Sequence, residues 1–362
     1  MAENKRNNVI IASVLKPQDD HRLFEKWGGF FKTNRLSQVH LFAQPNDSKK
    51  EDSFSYHNSI KKRGFFQRFI CQIKFLQLLF SVKPEIVIIC TFELLLMARF
   101  YSFFSRKTSF FYDVRENYAL NISSQGNYHG LKKQLSLFFI RWSEKVSTRF
   151  ITHFFYTDAI YKDQLYFLNQ NSTLIENLFS FRDDKIIKTE YTAPTFLITG
   201  TISKAYGIEL GLDWFKKIKQ VIPTAELIIL GHSTDNYSFD SSDSSIHLKT
   251  SSKPIPHATI INTIASVDFL LLPYLWESSF EGCTPTKLHE ALYLNTKVII
   301  SQADHLKLTK SELIYFINPI EEDFHFLSNP TPPSNQSEKQ TISFNQSESI
   351  LKDIFNPFFP IS

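Results

Sequence analysis

The chain reads as an α/β protein built from two doubly wound, parallel-sheet domains. Three observations predict this. Its 362 residues suit two domains at roughly 100–200 residues each. Short apolar runs of strand length alternate with longer segments whose apolar residues recur at helical spacing, the pattern of parallel strands covered by helices on both faces. A polar stretch at residues 180–194 separates a first set of such units from a second. The expected divisions are residues 1–185, residues 186–328 and a tail, 329–362.

Taken in order, the first strand is the apolar run 9–15. It follows a basic amino terminus and runs into Lys16-Pro17-Gln18-Asp19-Asp20. A signal peptide would place small residues at a cleavage site there, so the run is read as a buried strand. Helical spacing over 22–33 precedes a strand at 39–42, and a second helix spans about 62–80. Strands at 86–90, 109–112 and 150–155 then alternate with helices at 93–104, 131–146 and 158–167. In the second half, strands are expected at 196–198, 226–230, 269–272, 298–300 and 314–317. Helices are expected at 209–221, 258–266, 285–294 and 321–327. Residues 233–245 contain six serines and read as a surface loop, and residues 329–349, rich in Ser, Asn, Gln, Thr and Pro, as a polar linker. The apolar end 350–355 reads as a short docking helix.

Composition excludes several classes. A net charge of +4, from 40 basic and 36 acidic residues, is too small to argue for a nucleic-acid partner. Cys71, Cys90 and Cys283 lie far apart, which excludes a disulfide scaffold or a cysteine zinc site and fits a reducing compartment. The most apolar long window, 86–104, is interrupted by Thr91, Glu93 and Arg99, so no segment offers the roughly 20 apolar residues of a spanning helix. There is no P-loop, GxSxG, GxGxxG or D-x-D. His289-Glu290 is followed by Tyr293 where HExxH needs its second histidine. No metal and no nicotinamide or flavin cofactor is therefore expected. Phenylalanine is abundant, at 36, and glycine scarce, at 10, so each glycine at a turn is informative.

The most informative segment is Val267-Asp268-Phe269-Leu270-Leu271-Leu272-Pro273-Tyr274, then a polar loop, then Thr284-Pro285-Thr286-Lys287-Leu288-His289-Glu290. A strand ending at Pro273 and a helix opening at Pro285 create a helix amino terminus beyond a strand's carboxyl end, where phosphate is favoured. Lys287 adds a full charge to that turn. Glu290, one turn on, is placed for a carboxylate to accept hydrogen bonds from both ribose hydroxyls. Two readings stand: a nucleoside-diphosphate site, or an exposed first-turn Lys–Glu pair.

This Pro-Thr-Lys-Leu-x-Glu segment after a Leu-Pro-Tyr strand resembles the donor-site motif of the retaining GT-B glycosyltransferases. Leu197-Ile198-Thr199-Gly200-Thr201-Ile202-Ser203-Lys204-Ala205-Tyr206-Gly207-Ile208 resembles the segment that opens the second domain of that family. Ala225-Glu226-Leu227-Ile228-Ile229-Leu230-Gly231 is similar to its L-x-I-x-G strand. Upstream, residues 15–26 and Tyr112-Asp113-Val114-Arg115-Glu116-Asn117-Tyr118 resemble bacterial surface-polysaccharide members, and Ile175-Glu176-Asn177 resembles the domain boundary. Two departures are visible. Arg115 stands where histidine is common, and eight residues rather than seven separate Glu281 from Glu290.

The resemblance implies two Rossmann-like domains facing a cleft and a metal-free transfer from a nucleotide sugar to a glycan or lipid-linked glycan. It implies donor binding by Gly200, Thr201, Ser203, Lys204, Gly231, Glu281, Gly282, Thr284, Thr286, Lys287 and Glu290. Lys204 and Lys287 would stabilise the leaving diphosphate, and Arg115 and Glu116 would lie near the reacting groups. Asp20, with a flexible or turning Gly28-Gly29, would face the acceptor. Glu116 is equally read as a structural carboxylate. The alternatives to a transferase are a GT-B-fold nucleotide-sugar epimerase and a non-catalytic binding subunit of the same fold. The helix at 62–80 carries Phe65, Phe69, Ile73, Leu76 and Phe80 in one stripe, with Lys62, Arg63, Arg68 and Lys74 elsewhere. It reads either as an interfacial membrane contact of a cytoplasmic, peripheral enzyme or as a helix packed on the first domain's sheet.

Overall fold

The computed structural model describes residues 7–33, 37–46, 51–60, 64–124, 130–177, 186–233, 243–252, 255–276, 282–306, 311–318, 322–328 and 345–358. The chain divides into two compact units, Met1–Ser180 with Phe344–Ser362, and Phe181–Ser343.

The first unit is a parallel sheet of β1 (Asn7–Pro17), β2 (Ser37–Gln44), β3 (Phe54–Asn58), β4 (Ile86–Ile89), β5 (Ser109–Val114), β6 (Ile151–Tyr156) and β7 (Ser172–Leu174). The strand order is β3-β2-β1-β4-β5-β6-β7. β4, Ile-Val-Ile-Ile, is buried on both faces, as a continuous apolar run in a covered parallel sheet should be. The helices are α1 (Gly29–Thr33), preceded by a wide π-helical stretch at Arg22–Gly28, then α2 (Phe65–Val82), α3 (Leu95–Ser102), α4 (Tyr118–Ser124), α5 (Gly130–Ser147) and α6 (Tyr161–Gln164). The chain steps outward from β1 to β3 and returns on the other side at β4. Right-handed crossovers then put α2, α3 and α5 on one face of the sheet and the Arg22–Thr33 run on the other. Side chains agree: Phe75 of α2 lies 5.4 Å from Phe42, Tyr101 of α3 lies 6.4 Å from Phe110, and the Tyr112 hydroxyl of β5 donates to Glu144 of α5 at 3.2 Å.

The second unit is a parallel sheet of β8 (Thr195–Thr201), β9 (Glu226–His232), β10 (Ile246–Ser251), β11 (Phe269–Leu272), β12 (Lys297–Ser301) and β13 (Ile314–Ile317), in the order β10-β9-β8-β11-β12-β13. It carries α7 (Ile208–Val221), α8 (His257–Ile264) and α9 (Thr286–Tyr293). Its core joins Phe196, Ile198, Trp214, Phe215, Ile229 and Leu271. The final helix, α10 (Asn345–Phe355), belongs to the first unit. There Phe355 lies 4.7 Å from Phe111 and 5.0 Å from Phe31.

Three expectations are corrected. β3, β7 and β10 were not anticipated, and the helix expected at 321–327 is a single 3₁₀ turn at His325–Ser328. The helix expected from Pro285 begins at Thr286, because Pro285 is extended (φ −62°, ψ 128°) and closes the loop rather than opening the helix. Asn295 ends α9 at φ +59°, a left-handed position that asparagine accepts. The loop expected at 233–245 lies largely outside the described residues.

Candidate functional site

In the second unit the strand order reverses between β8 and β11, and ligands of open α/β sheets bind beyond the strand ends at such a reversal. Both motif segments lie there. Near the end of β8, Gly200 takes a φ of +121°, which strains any residue with a side chain, and it pairs with Gly231 of β9. A Cβ at Gly231 would stand 2.2 Å from the Gly200 carbonyl oxygen. Beyond Thr201 and Ser203, a turn at Lys204–Tyr206 leads to Gly207 at φ +73°. A Cβ there would meet the Pro273 carbonyl oxygen at 1.7 Å, and one at Gly211 would meet Ile198 at 2.6 Å. These glycines press the start of α7 onto the ends of β8 and β11. α7 opens without a side-chain cap, so its dipole and first-turn N–H groups favour an anion. Lys204 is exposed, with its Nζ 3.9 Å from a Glu209 oxygen.

From β11 the chain passes Pro273 and Tyr274, and α9 opens, again without a side-chain cap. Gly282 takes a left-handed φ of +75°, Thr284 and Thr286 flank the entry to α9, and Glu281 lies outside the described residues. Lys287 and Glu290 meet as their spacing implies: Nζ to Oε2 is 2.7 Å. The carboxylate is not exposed but 1% accessible, and its other oxygen is 3.1 Å from His257 Nε2. Burial pushes the Glu290 pKa up, but Lys287 and His257 outweigh it and hold it at about 2. Lys287 is thus held by an anion, and Glu290 already has two partners. His257, 33 residues away on α8, was missed, since nothing in the linear pattern ties it to Glu290. Also unanticipated is a chain of rings, Tyr206–Tyr274 at 6.2 Å and Tyr274–Trp276 at 5.5 Å, beside the Gly207 turn.

The first unit reverses its strand order between β1 and β4, and a second polar cluster sits at that reversal. Arg115, just beyond β5, donates from Nη1 and Nη2 to the two Asp20 oxygens at 2.8 and 3.1 Å. Lys16 reaches Glu116 at 2.8 Å, and Asn121 donates to the other Glu116 oxygen at 3.1 Å. Burial opposes ionisation of Asp20 and Glu116, but Arg115 and Lys16 respectively outweigh it and hold both carboxyls below the usual range. Asp20, Arg115 and Glu116 therefore come together as charge-matched pairs. Gly28 and Gly29 do not form the loop or turn expected of them. They sit within a continuous helical run, Gly29 at φ −60°, and a Cβ at Gly28 would stand 3.0 Å from Phe54. The missing Cβ at Gly28 lets Phe54 pack close, and the two glycines are helical rather than a loop or turn.

Depressed carboxyl pKa values set a direction for acid stability. A group held below its unfolded value stabilises the fold above that unfolded value and loses the contribution as pH falls through the folded one. For Glu290 the window runs from 4.5 down to about 2. The urea midpoint of the second unit should be flat from neutral pH to about 5 and fall steadily below 4.5. A midpoint unchanged down to pH 2 would contradict the ion triad.

No family model matches the chain, and no curated protein matches it in sequence. Solved structures do match in fold. Sucrose-phosphate synthase from Thermosynechococcus elongatus superposes with a TM-score of 0.69 at 12% identity, over 99% of this chain and 100% of that one. The catalytic domain of starch synthase IV from Arabidopsis thaliana, bound to ADP and acarbose, gives 0.66 at 12% identity, over 98% and 99%. A UDP-N-acetylglucosamine 2-epimerase gives 0.54 at 11% identity, over 98% and 97%. The chain thus has the fold of two Rossmann-like, parallel-sheet domains found in these GT-B enzymes.

Proposed function

We propose that the protein is a glycosyltransferase that takes a sugar from a nucleoside-diphosphate donor. The observation that carries this reading is the second unit's strand reversal, where the Gly200–Gly207 turn and the uncapped starts of α7 and α9 adjoin the Lys287–Glu290–His257 group. On this reading the diphosphate lies against the two helix amino termini. Lys287 turns from Glu290 to the phosphate, and the ribose hydroxyls donate to the vacated carboxylate oxygen. Lys204, on its exposed turn, supplies the second cation. Tyr206 and Tyr274 offer a face for the nucleobase. As the leaving diphosphate gathers charge, these fixed groups stabilise it with no metal, at about 10²–10³ in rate each. We extend the reading to retention of configuration, a glycan or lipid-linked acceptor in surface-polysaccharide assembly, and a cytoplasmic location. The paired Asp20–Arg115 and Lys16–Glu116 groups of the first unit are assigned to the acceptor side.

The epimerase among the fold neighbours makes one other reaction worth separating. Incubating the protein with UDP- and ADP-sugars, with and without a lipid-linked glycan fraction, separates them. A transferase releases nucleoside diphosphate only when acceptor is present, in EDTA as well as without it, and Lys287→Ala lowers the rate by about 10²–10³. An epimerase converts the donor with no acceptor. Neither outcome in any donor would sink both readings.

A further inference from the structure

The helical layer on one face of the first unit's sheet has two apolar sides. The inner side of α2, with Cys71, Phe75, Leu78 and Leu79, is buried against the strands. The outer side is apolar as well: Phe66 is 71% exposed and Phe69 56%. At the end of α3, Phe103 is 72% exposed, and on α5 Phe138 is 67% exposed, with Leu135 and Trp142 also in solvent. Of the seventeen large apolar side chains exposed among the described residues, twelve lie on α2, α5 and α3 with its C-terminal turn. Scattered exposed hydrophobes are ordinary; this concentration on one layer is not. α3 touches both α2 and α5, and Phe80 of α2 lies 5.7 Å from Phe104 beyond α3.

The charge on the same layer has one sign. Residues 64–83, 92–107 and 130–149 hold eleven Lys and Arg and two acids, Glu93 and Glu144. Both acids are buried and turned inward. Glu93 accepts from Arg68 at 3.0 Å, and Glu144 from the Tyr112 hydroxyl. Lys74, Arg106, Lys107, Lys132, Arg141 and Lys145 are exposed. No described helix is long and apolar enough to cross a membrane.

We propose that the outer face of α2, α3 and α5 docks on the surface of an anionic phospholipid bilayer. Exposed Phe and Trp side chains would enter the headgroup boundary, while the surrounding Lys and Arg meet lipid phosphates. A second copy of this chain is the weaker occupant, because two such faces would set like charges against each other. Of the stripe expected on α2, Phe69, Ile73 and Phe80 are exposed, Leu76 is half-buried and the Phe65 side chain lies outside the described residues; α3 and α5 supply most of the surface. The inference does not depend on the donor site.

The test is co-sedimentation of the whole protein with vesicles of phosphatidylcholine alone or mixed with phosphatidylglycerol. Each exposed cation near an anionic leaflet strengthens partitioning about fivefold, and each inserted Phe about tenfold or more. The protein should bind the mixed vesicles at low salt, bind phosphatidylcholine far less, and dissociate as salt shortens the screening length. Phe103→Ser with Phe138→Ser, and separately Lys132→Glu with Arg141→Glu, should each weaken binding at least tenfold. All four side chains are exposed, so circular dichroism and the urea midpoint should be unchanged. Binding to neither vesicle, equal binding to both, or binding indifferent to both double variants would overturn the proposal. So would light scattering that shows a dimer dispersed by the Phe substitutions without vesicle binding.

Discussion

Asp113→Ala should cost the first unit about 3–5 kcal/mol, the usual penalty for removing one partner of a buried ion pair. That is a large share of the ~5–15 kcal/mol by which domains are typically stable. Asp113 is fully buried at the centre of a hydrogen-bonded group. Arg22 donates to its two oxygens at 2.8 and 2.7 Å, and Trp27 Nε1 donates at 2.9 Å. The third guanidinium nitrogen donates to the Ile175 carbonyl at 2.9 Å, so the arginine ties the segment just beyond β7 to the π-helical stretch. Burial disfavours the Asp113 carboxylate, yet Arg22 outweighs it and lowers the pKa. Truncating the acid leaves a guanidinium that is 1% exposed with no anion. Urea denaturation should show a midpoint shifted accordingly for the first unit. Adding Arg22→Met to Asp113→Leu should recover part of the loss, because an apolar pair carries no stranded charge. A single-variant loss under about 1 kcal/mol, the scale of an exposed ion pair, would show that the group is not the buried network described.

Gly207→Val should be the most damaging substitution in the second unit. Two penalties coincide. The left-handed φ of +73° costs a non-glycine residue about 1–2 kcal/mol, and a β-branched one more. The added Cβ would also stand 1.7 Å from the Pro273 carbonyl oxygen, so α7 and the end of β11 must separate or the turn must refold. The expected loss is above about 3 kcal/mol, with loss of nucleotide binding and an unaltered first unit. Gly200→Ala provides the contrast. Its φ of +121° is as unsuited to a side chain, but nothing lies within 4 Å of the new Cβ, so strain alone applies, about 1–3 kcal/mol. Equal losses from the two substitutions, measured by urea denaturation, would contradict the packing assigned to Gly207.

Which parts of this were legible in the sequence follows from burial. The central strands declare themselves as apolar runs because both faces are covered, as at Ile86–Ile89 and Phe269–Leu272. The strands that escaped, β3, β7 and β10, are all at sheet edges. β10 pairs only with β9 and leaves most of its residues exposed, so selection for apolar side chains is absent there. The site divides in the same way. The Lys287–Glu290 contact is local, one helical turn apart, and could be read from spacing. His257–Glu290 and Asp20–Arg115 join residues 33 and 95 positions apart, and only the folded sheet reveals them. Gly28-Gly29 was misread because two adjacent glycines usually mark a turn. Here the missing Cβ at Gly28 is what lets Phe54 pack.

Calorimetric titration tests directly whether the second unit's strand reversal holds a nucleoside diphosphate. UDP, ADP and GDP should be titrated into the wild-type chain and into Lys287→Ala, with circular dichroism confirming that the variant is folded. One diphosphate should bind the wild type, and the variant should bind it at least tenfold more weakly, as loss of a charge-assisted hydrogen bond of about 1.5–3 kcal/mol requires. No heat of binding with any of the three, or an affinity unchanged by the substitution, would contradict the account.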